Sequence, residues 1–458
     1  MPLILPGNVG SATAATGFNV ANSCRFNPAD SAYMHKTPDA GNRRTFTFSC
    51  WVKRSLISSA QTLFWAGSSN DDYFAMRFEA NNKFSLFEAV SGATNWGINT
   101  NRVFKDISAW YHVVVAVDTT QGTAANRTKI YFNGIQETNL NTGDGYPAEN
   151  RDTIFNTAVP HQIGHDYVGQ YFGGYIAEAC FLEGSQNAPT DFGEFDDSGI
   201  WKPINVSGLT FGTNGFYLDF EASGNLGNDA NGGTDLTESG LAAIDQSTDT
   251  CTNNFATMNP LDNFYAGSTF SEGNLNLVMA DAPTTWNTST IGVSSGKWYF
   301  EVKELAEGAS GSSQVGVADR PTVSASEELG GLATTFAYTS NGRFRTDNGQ
   351  TAADKATWGV NDVIGIALDM DASPATVTFT KNGSAAGSTQ NLTATGTGFY
   401  FLAIGAWVDG SVTFSANFGS PAYSESGGNS DGSGYGNFKT APPSGHFALN
   451  TKNLAEYG

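Results

Sequence analysis

Two stretches of the chain carry one pattern of apolar and polar positions. From Trp110 to Gly134, a solid apolar run, Tyr111-His112-Val113-Val114-Val115-Ala116-Val117, stops at Asp118. A polar loop follows, and then an alternating run, Lys129-Ile130-Tyr131-Phe132, stops at Asn133-Gly134. From Val363 to Gly383 the design recurs. Val363-Ile364-Gly365-Ile366-Ala367-Leu368 stops at Asp369, and Thr376-Val377-Thr378-Phe379-Thr380-Lys381 stops at Asn382-Gly383. β-Branched and aromatic residues suit a pleated, half-buried surface, and Asn-Gly tolerates the positive φ of a tight hairpin turn. Each stretch predicts two paired strands in the centre of a β-sandwich.

The remaining strands fall around these two. Residues 23–204 are expected to form the first sandwich. Phe46–Lys53 alternates, with Phe46, Phe48, Cys50 and Val52 on one face. Tyr73–Phe78 and Lys83–Val90 flank Asn81-Asn82 as a hairpin, and Gln162-Ile163-Gly164 and Gly173–Leu182 supply further strands. Residues 263–420 predict the second sandwich, with Trp298, Phe300 and Val302 inward on Gly296–Val302. Residues 205–262 read as a packed connector, because recurring aromatics separate them from a free Gly/Ser tether. Residues 1–22 read as an N-terminal arm, and 421–458 as a Gly/Ser-rich C-terminal tail. Leu, Glu, Lys and Ala do not recur at a helical period. The expected fold is all-β: two antiparallel β-sandwiches with an extended arm and tail.

Composition narrows the function. The 458 residues carry a formal net charge of −21, so binding to nucleic-acid phosphates is not expected, while cation binding is left open. No stretch approaches a membrane span, and no basic cluster suggests an anionic membrane surface. The only apolar run near the N-terminus, Leu3-Ile4-Leu5, precedes Pro6, so no secretory signal is expected. Cys24, Cys50, Cys180 and Cys251 form no Cys-x-x-Cys pair. All four are expected as thiols of a chain folded in a reducing compartment.

Phe46–Lys53, Trp110–Asp118, Lys129–Gly134 and Phe172–Phe181 together resemble the concanavalin A-like lectin/glucanase superfamily, in its laminin-G and pentraxin branch. The resemblance implies a jelly roll whose loops or concave face bind glycans. Lys297-Trp298-Tyr299-Phe300-Glu301-Val302, Gly316-Val317-Ala318, Leu368-Asp369 and Phe379-Thr380-Lys381-Asn382-Gly383 resemble the SPRY fold, which implies partner binding through loops and no catalysis. The two modules, with the Asn253–Pro260 segment and the tail Phe438-Lys439-Thr440-Ala441-Pro442-Pro443-Ser444-Gly445, resemble virion proteins of marine tailed bacteriophages. That resemblance implies a fibre, appendage or capsid-decorating protein, assembled in the host cytoplasm and displayed on the virion surface. Its partners would be other virion proteins, reached through the arm, and a host-surface glycan or protein; a homo-oligomer is expected. A structural cement protein and a glucanase-type hydrolase are the alternatives.

The glucanase alternative needs two carboxylates on one strand face, whereas Glu178 and Glu183 are five apart, which places them on opposite faces. His161 and His165 have the spacing of a helical zinc pair, but Gly164 and a strand context argue against it. His112 reads as a satisfied core histidine. Asn228–Asp235 and Asn70-Asp71-Asp72 are oxygen-rich, leaving calcium a weak possibility, with solvated turns preferred. No other cofactor, metal or catalytic residue is expected. Sugars call for aromatic faces and convergent polar groups. The loop candidates are Asn95, Trp96, Asp166, Tyr167 and Tyr171 in the first domain. In the second, Asp319, Arg320, Arg343, Arg345, Asp347 and Trp407 lie in or near loops. Trp51, Trp65 and Trp110 are expected in the core.

Overall fold

The computed structural model describes residues 17–280, 284–308, 311–393, 396–407, 410–424 and 427–458. They form two compact units, 17–252 and 253–458. Residues 1–16 of the expected arm lie outside the described residues.

The first unit packs two antiparallel eight-stranded sheets face to face. One is ordered Ile135–Gln136, Thr128–Phe132, Trp110–Asp118, Thr45–Arg54, Gly174–Glu183, Ser23–Phe26, Gln246–Ser247, with Phe216–Leu218 also paired to Gly174–Glu183. The other is ordered Leu140–Asn141, Ala93–Val103, Lys83–Val90, Tyr73–Phe78, Gln61–Gly67, His161–Ile163, Tyr33–Lys36, Thr237–Ser239. Phe46, Phe48, Cys50 and Val52 all enter the core between them, as their alternation predicts. The 73–78 and 83–90 strands pair as the expected hairpin.

The second unit is built likewise. One sheet runs Thr269–Ser271, Asn276–Met279, Val412–Asn417, Lys297–Ala306, Val363–Asp369, Thr376–Lys381, Ser384–Ala385. The other runs Thr285–Val293, Tyr400–Ala406, Ser313–Ala318, Thr335–Thr339, Arg343–Thr346, Gly349–Gln350. Trp298, Phe300 and Val302 point into its core.

The two hairpin units pair in the expected way but sit to one side of their sheets. After Asn133-Gly134 the chain returns for two paired residues, 135–136, and after Asn382-Gly383 for 384–385 and then 390–391, and each sheet ends there. The middle places go to Thr45–Arg54 and Lys297–Ala306. An apolar run reports burial, not lateral position, and both 45–54 and 110–118 are covered on two faces.

Residues 205–252 are not a separate connector. Phe216–Leu218 joins one sheet of the first unit, Thr237–Ser239 the other, and Gln246–Ser247 an edge of the first. Val20 packs with Trp51, Trp110 and Tyr175, so this unit begins before residue 23. Residues 253–260 belong to the second unit, where the Ala256 N–H donates to the Leu449 carbonyl at 3.0 Å. The tail also packs there. Phe447–Ala448 pairs in parallel with Lys297–Ala306, and Phe438 and Ala448 cover Tyr299. Glu301, fully buried, accepts the Lys439 and Thr440 N–H groups at 2.9 Å each. The chain then turns into its helix, Thr451–Tyr457, capped by the Asn450 side chain.

All four cysteines are free, three of them buried. Burial holds the thiols of Cys24, Cys50 and Cys180 well above the usual range. No helix among the described residues is long and apolar enough to cross a membrane.

Candidate functional site

A sandwich has two outward faces as well as one core, and here most of them are covered. In the first unit, Phe192, Val206 and Phe211 lie over Val114, Cys180 and Leu182. Val20 and Trp201 lie over Trp51, Trp110 and Tyr175 on the same sheet. In the second unit the tail covers Tyr299 and Ala367, and Leu329 and Leu332 cover Ala318, Ala337 and Ala403. The outward face of the first unit's other sheet carries half-buried Phe87, Tyr73, Arg77, Gln162, His35 and Tyr33 instead.

Strand register sets those side chains in a line. Phe64, Met76, Leu86, Ile98, Ile163 and Met34 enter the core, so their neighbours face out. Gly97 pairs with Phe87, Phe87 with Ala75, Ala75 with Trp65, Trp65 with Gln162, Gln162 with His35, and His35 with Thr237. At roughly 4.8 Å per strand step, this row spans about 29 Å. Gly97 is part of the design: a Cβ there would meet the Phe87 Cβ at 3.0 Å.

Beside Phe87 lies an open groove of about 420 Å³ lined by Glu79, Ala80, Asn81, Lys83, Ser85, Asn99 and Asn141. Ser85 donates to the Asn99 side-chain oxygen, which leaves the Asn99 amide hydrogens for other acceptors. Arg77 fixes the groove's edge. Its Nε donates to Glu79 at 2.7 Å, its Nη1 to Gln170 at 3.0 Å, and its guanidinium lies 4.7 Å from the Phe87 ring centroid. At the far end of the row, His165 stacks on Tyr171 at 4.3 Å and packs on Tyr33 at 4.8 Å. Burial lowers the His165 pKa, so the ring stacks as a neutral plane at pH 7.

The residues singled out in the sequence divide. Asp166 and Tyr171 come to this face. Asp166 is buried and shapes the 164–172 loop, accepting from Thr62 and from the N–H groups of Val168 and Gln170. Tyr167, 59% exposed, projects from the same loop. Trp96 is no loop residue: it lies on Ala93–Val103 and is 1% exposed, inside the core. Its indole N–H donates to Glu88, as does the side chain of Asn95 on the same strand. The Thr94-Asn95 pair reads as a loop, but strand 83–90 has a register shift at Glu88/Ala89 that carries the pairing through it. Phe87, Asn99, Asn141 and Arg77 were missed. Each is an alternate residue of a strand, and nothing local separates an outward ligand-facing position from an ordinary one.

In the second unit Arg343 and Arg345 lie on the short strand Arg343–Thr346, between two turns. Arg345 donates to Glu328 at 2.7 Å and Arg320 to Glu327 at 3.3 Å, so both hold down the 319–334 loop. Asp319 is buried and accepts from Thr334, while Arg343 donates to the Thr351 carbonyl. Asp347 is an exposed turn residue at φ 52°. Trp407, 46% exposed, lies with its ring 5.1 Å from the Arg345 guanidinium.

The acid and histidine candidates are occupied locally. A bulge between Ala177 and Cys180 sets Glu178 at φ 50°, under the outer layer. It accepts from the Tyr217 hydroxyl at 2.6 Å, and burial pushes its pKa up to about 7. Glu183 accepts from the N–H groups of Asn42, Thr213 and Asn214. His161 is buried, with its pKa pushed down to about 4, and its Nε2 accepts from the Asn156 N–H. The fully buried His112 looks like a base for Ser49, 2.9 Å from its Nε2. The Trp201 indole, which can only donate, points at His112 Nδ1 from 3.0 Å. The proton of the neutral ring therefore sits on Nε2 and points at Ser49, so His112 cannot take the serine's proton. Among the described residues no group of three or more His, Cys, Asp or Glu is placed to hold a metal ion. Asp229 caps the backbone of Tyr217 and Asn231, and Asp72 that of Ser91.

Comparison with known families follows this division into units. Residues 29–187 match the concanavalin A-like lectin/glucanases superfamily, and residues 297–420 match the SPRY domain. No curated protein matches the chain. Among solved structures, the SPRY domain of human HERC1 is 18% identical, covering 31% of this chain and 87% of its own, with a TM-score of 0.26. The heptameric SAP-like pentraxin of Limulus polyphemus is 14% identical, covering 37% and 80%, with a TM-score of 0.28. Domain 4 of AbnA, a GH43 extracellular arabinanase from Geobacillus stearothermophilus solved with arabinotriose, is 18% identical, covering 33% and 66%, with a TM-score of 0.26. Each unit thus contains a stretch similar to the domain type that its strand motifs resemble.

Proposed function

We propose that this chain, which joins a concanavalin A-like module to a SPRY module, binds an oligosaccharide along the open face of its first unit. The observation that carries the reading is the row from Gly97 to Thr237, with the Asn99–Asn141 groove beside it. Sugar rings present apolar CH faces and a rim of hydroxyls. Phe87, Tyr73 and Tyr171 offer flat apolar surfaces, while Asn99, Asn141, Gln162 and Glu79 offer directional polar partners. A chain of net charge −21 repels polyanions, so a neutral or weakly charged glycan fits best. Binding, not bond cleavage, is the role proposed, because Glu178 and Glu183 are engaged by protein donors. The purified full chain on a glycan array should retain a hexose- or pentose-rich oligosaccharide. An array blank at high protein concentration would remove the proposal.

We further propose, on the likeness of the two-module layout and the 438–445 tail to bacteriophage virion proteins, that the chain is displayed on a phage particle, where many copies would add avidity to weak single sites. Residues 1–16 are the proposed anchor, since Phe18 and Val20 already pack on the first unit. Exposed Trp407 on the second unit is the proposed contact for a protein partner. Antibody raised against the chain should label intact particles of the phage that encodes it; unlabelled particles that contain no such chain would exclude this setting.

A further inference from the structure

We propose that Lys53 and Asp249 condense to an amide, a covalent cross-link joining the middle strand of one sheet of the first unit to the segment that closes the unit. Lys53 Nζ lies 2.7 Å from Asp249 Oδ2, across 196 residues of sequence. Both side chains are 2% exposed. The Trp110 indole N–H donates to the other carboxylate oxygen, Oδ1, at 3.2 Å. The Tyr175 ring lies 5.6 Å from Nζ, and Trp51, Trp201 and Val20 complete an apolar cage. Asp249 is also fixed through its backbone: its N–H donates to Ser247 Oγ at 3.1 Å, and its carbonyl accepts from Ser23 Oγ at 2.6 Å.

Removing two charges from water is costly, and a single contact repays it poorly. A lysine can escape that cost in a way an arginine cannot, because an ammonium gives up its proton and a guanidinium does not. The condensation begins with one proton passing from Nζ to Oδ2, which leaves a neutral amine against a neutral acid. That is the reactive combination. The Nζ lone pair adds to Cγ, and charge builds on Oδ1, where the Trp110 N–H already points. The Cγ–Oδ2 bond then breaks, and Oδ2 leaves as water with two protons that came from nitrogen. Ammonium and carboxylate become amide and water, with no oxidant, reductant or co-reactant. Fixed partners supply the entropy that such a condensation otherwise lacks, and the cage keeps bulk water from reversing it.

Intact-mass spectrometry of the denatured full-length chain tests this. The chain is expected one water lighter than its sequence requires, and a protease digest should contain a branched peptide joining Lys53 to Asp249. Lys53→Arg keeps the charge but cannot form the amide, so it should restore the full mass. A wild-type chain of unmodified mass overturns the proposal, as does a water loss that survives Lys53→Arg, which would mark cyclisation at an Asp-Gly site. Should the variant not fold, the branched peptide in the wild-type digest decides alone.

Discussion

Glu301→Ala is expected to free the C-terminal segment from the second unit and lower that unit's stability by about 3–5 kcal/mol. Glu301 is fully buried on the outward side of Lys297–Ala306. One carboxylate there serves four donors: the backbone N–H groups of Lys439 and Thr440, the Asn417 side chain at 3.3 Å and the Tyr299 hydroxyl at 3.0 Å. Hydrogen bonds to a charged acceptor are the stronger kind, and alanine leaves the Lys439 and Thr440 N–H groups without this acceptor, while Asn417 keeps the Asn437 carbonyl. The loss should spread. Phe438 packs on Tyr299 at 5.1 Å, edge to face, and the Asn429–Phe438 bridge closes the loop behind it. Hydrogen exchange should rise across 427–448 first, and the thermal midpoint of the unit should fall by about 10 °C. Glu301→Gln retains the shape and one acceptor, so it should lose less. Unchanged protection of 427–448 in the alanine chain would show that apolar cover alone holds the segment.

Phe87→Ala should weaken glycan binding about thirtyfold, and Asn99→Ala about tenfold. Phe87 stands near the groove end of the outward row, between the small residues Gly97 and Ala75, with Arg77 packed against its ring at 4.7 Å. Removing it takes away stacking surface without touching the core, because Leu86 and Ile98 face the other way. Asn99 lines the groove one step along, with its oxygen held by Ser85. Losing its amide N–H groups should cost one or two hydrogen bonds to ligand hydroxyls. Tyr167→Ala serves as the control: Tyr167 is exposed but stands off the row, so affinity should stay within about twofold. Calorimetric titration with the strongest array ligand measures all three. Equal affinity in the Phe87 and Asn99 chains would move the site off this face.

Strand identity was legible because it depends on side chains two residues apart. Tyr73–Phe78 and Lys83–Val90 pair over the residues their alternation marks. The inward sets Phe46, Phe48, Cys50, Val52 and Trp298, Phe300, Val302 follow from the same period. The candidate site was legible only in part. Tyr171 and Asp166 stood out in a loop, whereas Phe87 and Asn99 are ordinary outward strand positions, and Trp96 is a core residue in polar company. The catalytic alternatives were harder still: Ser49 and His112 share a contact whose proton direction is set by Trp201, far away in sequence.

The sequence by itself determined two all-β modules, their core faces and the absence of helical periodicity, since local sterics and the two-residue pleat act between near neighbours. Tertiary structure alone decided which strands stand side by side, that 205–252 completes the first unit, and that the tail covers the second. It also decided which sheet face stays open and that Lys53 meets Asp249. Those outcomes depend on layers laid over a finished sheet by segments up to about two hundred residues away. The free energy that places them comes from area removed from water, which carries no signature in the order of the residues that supply it.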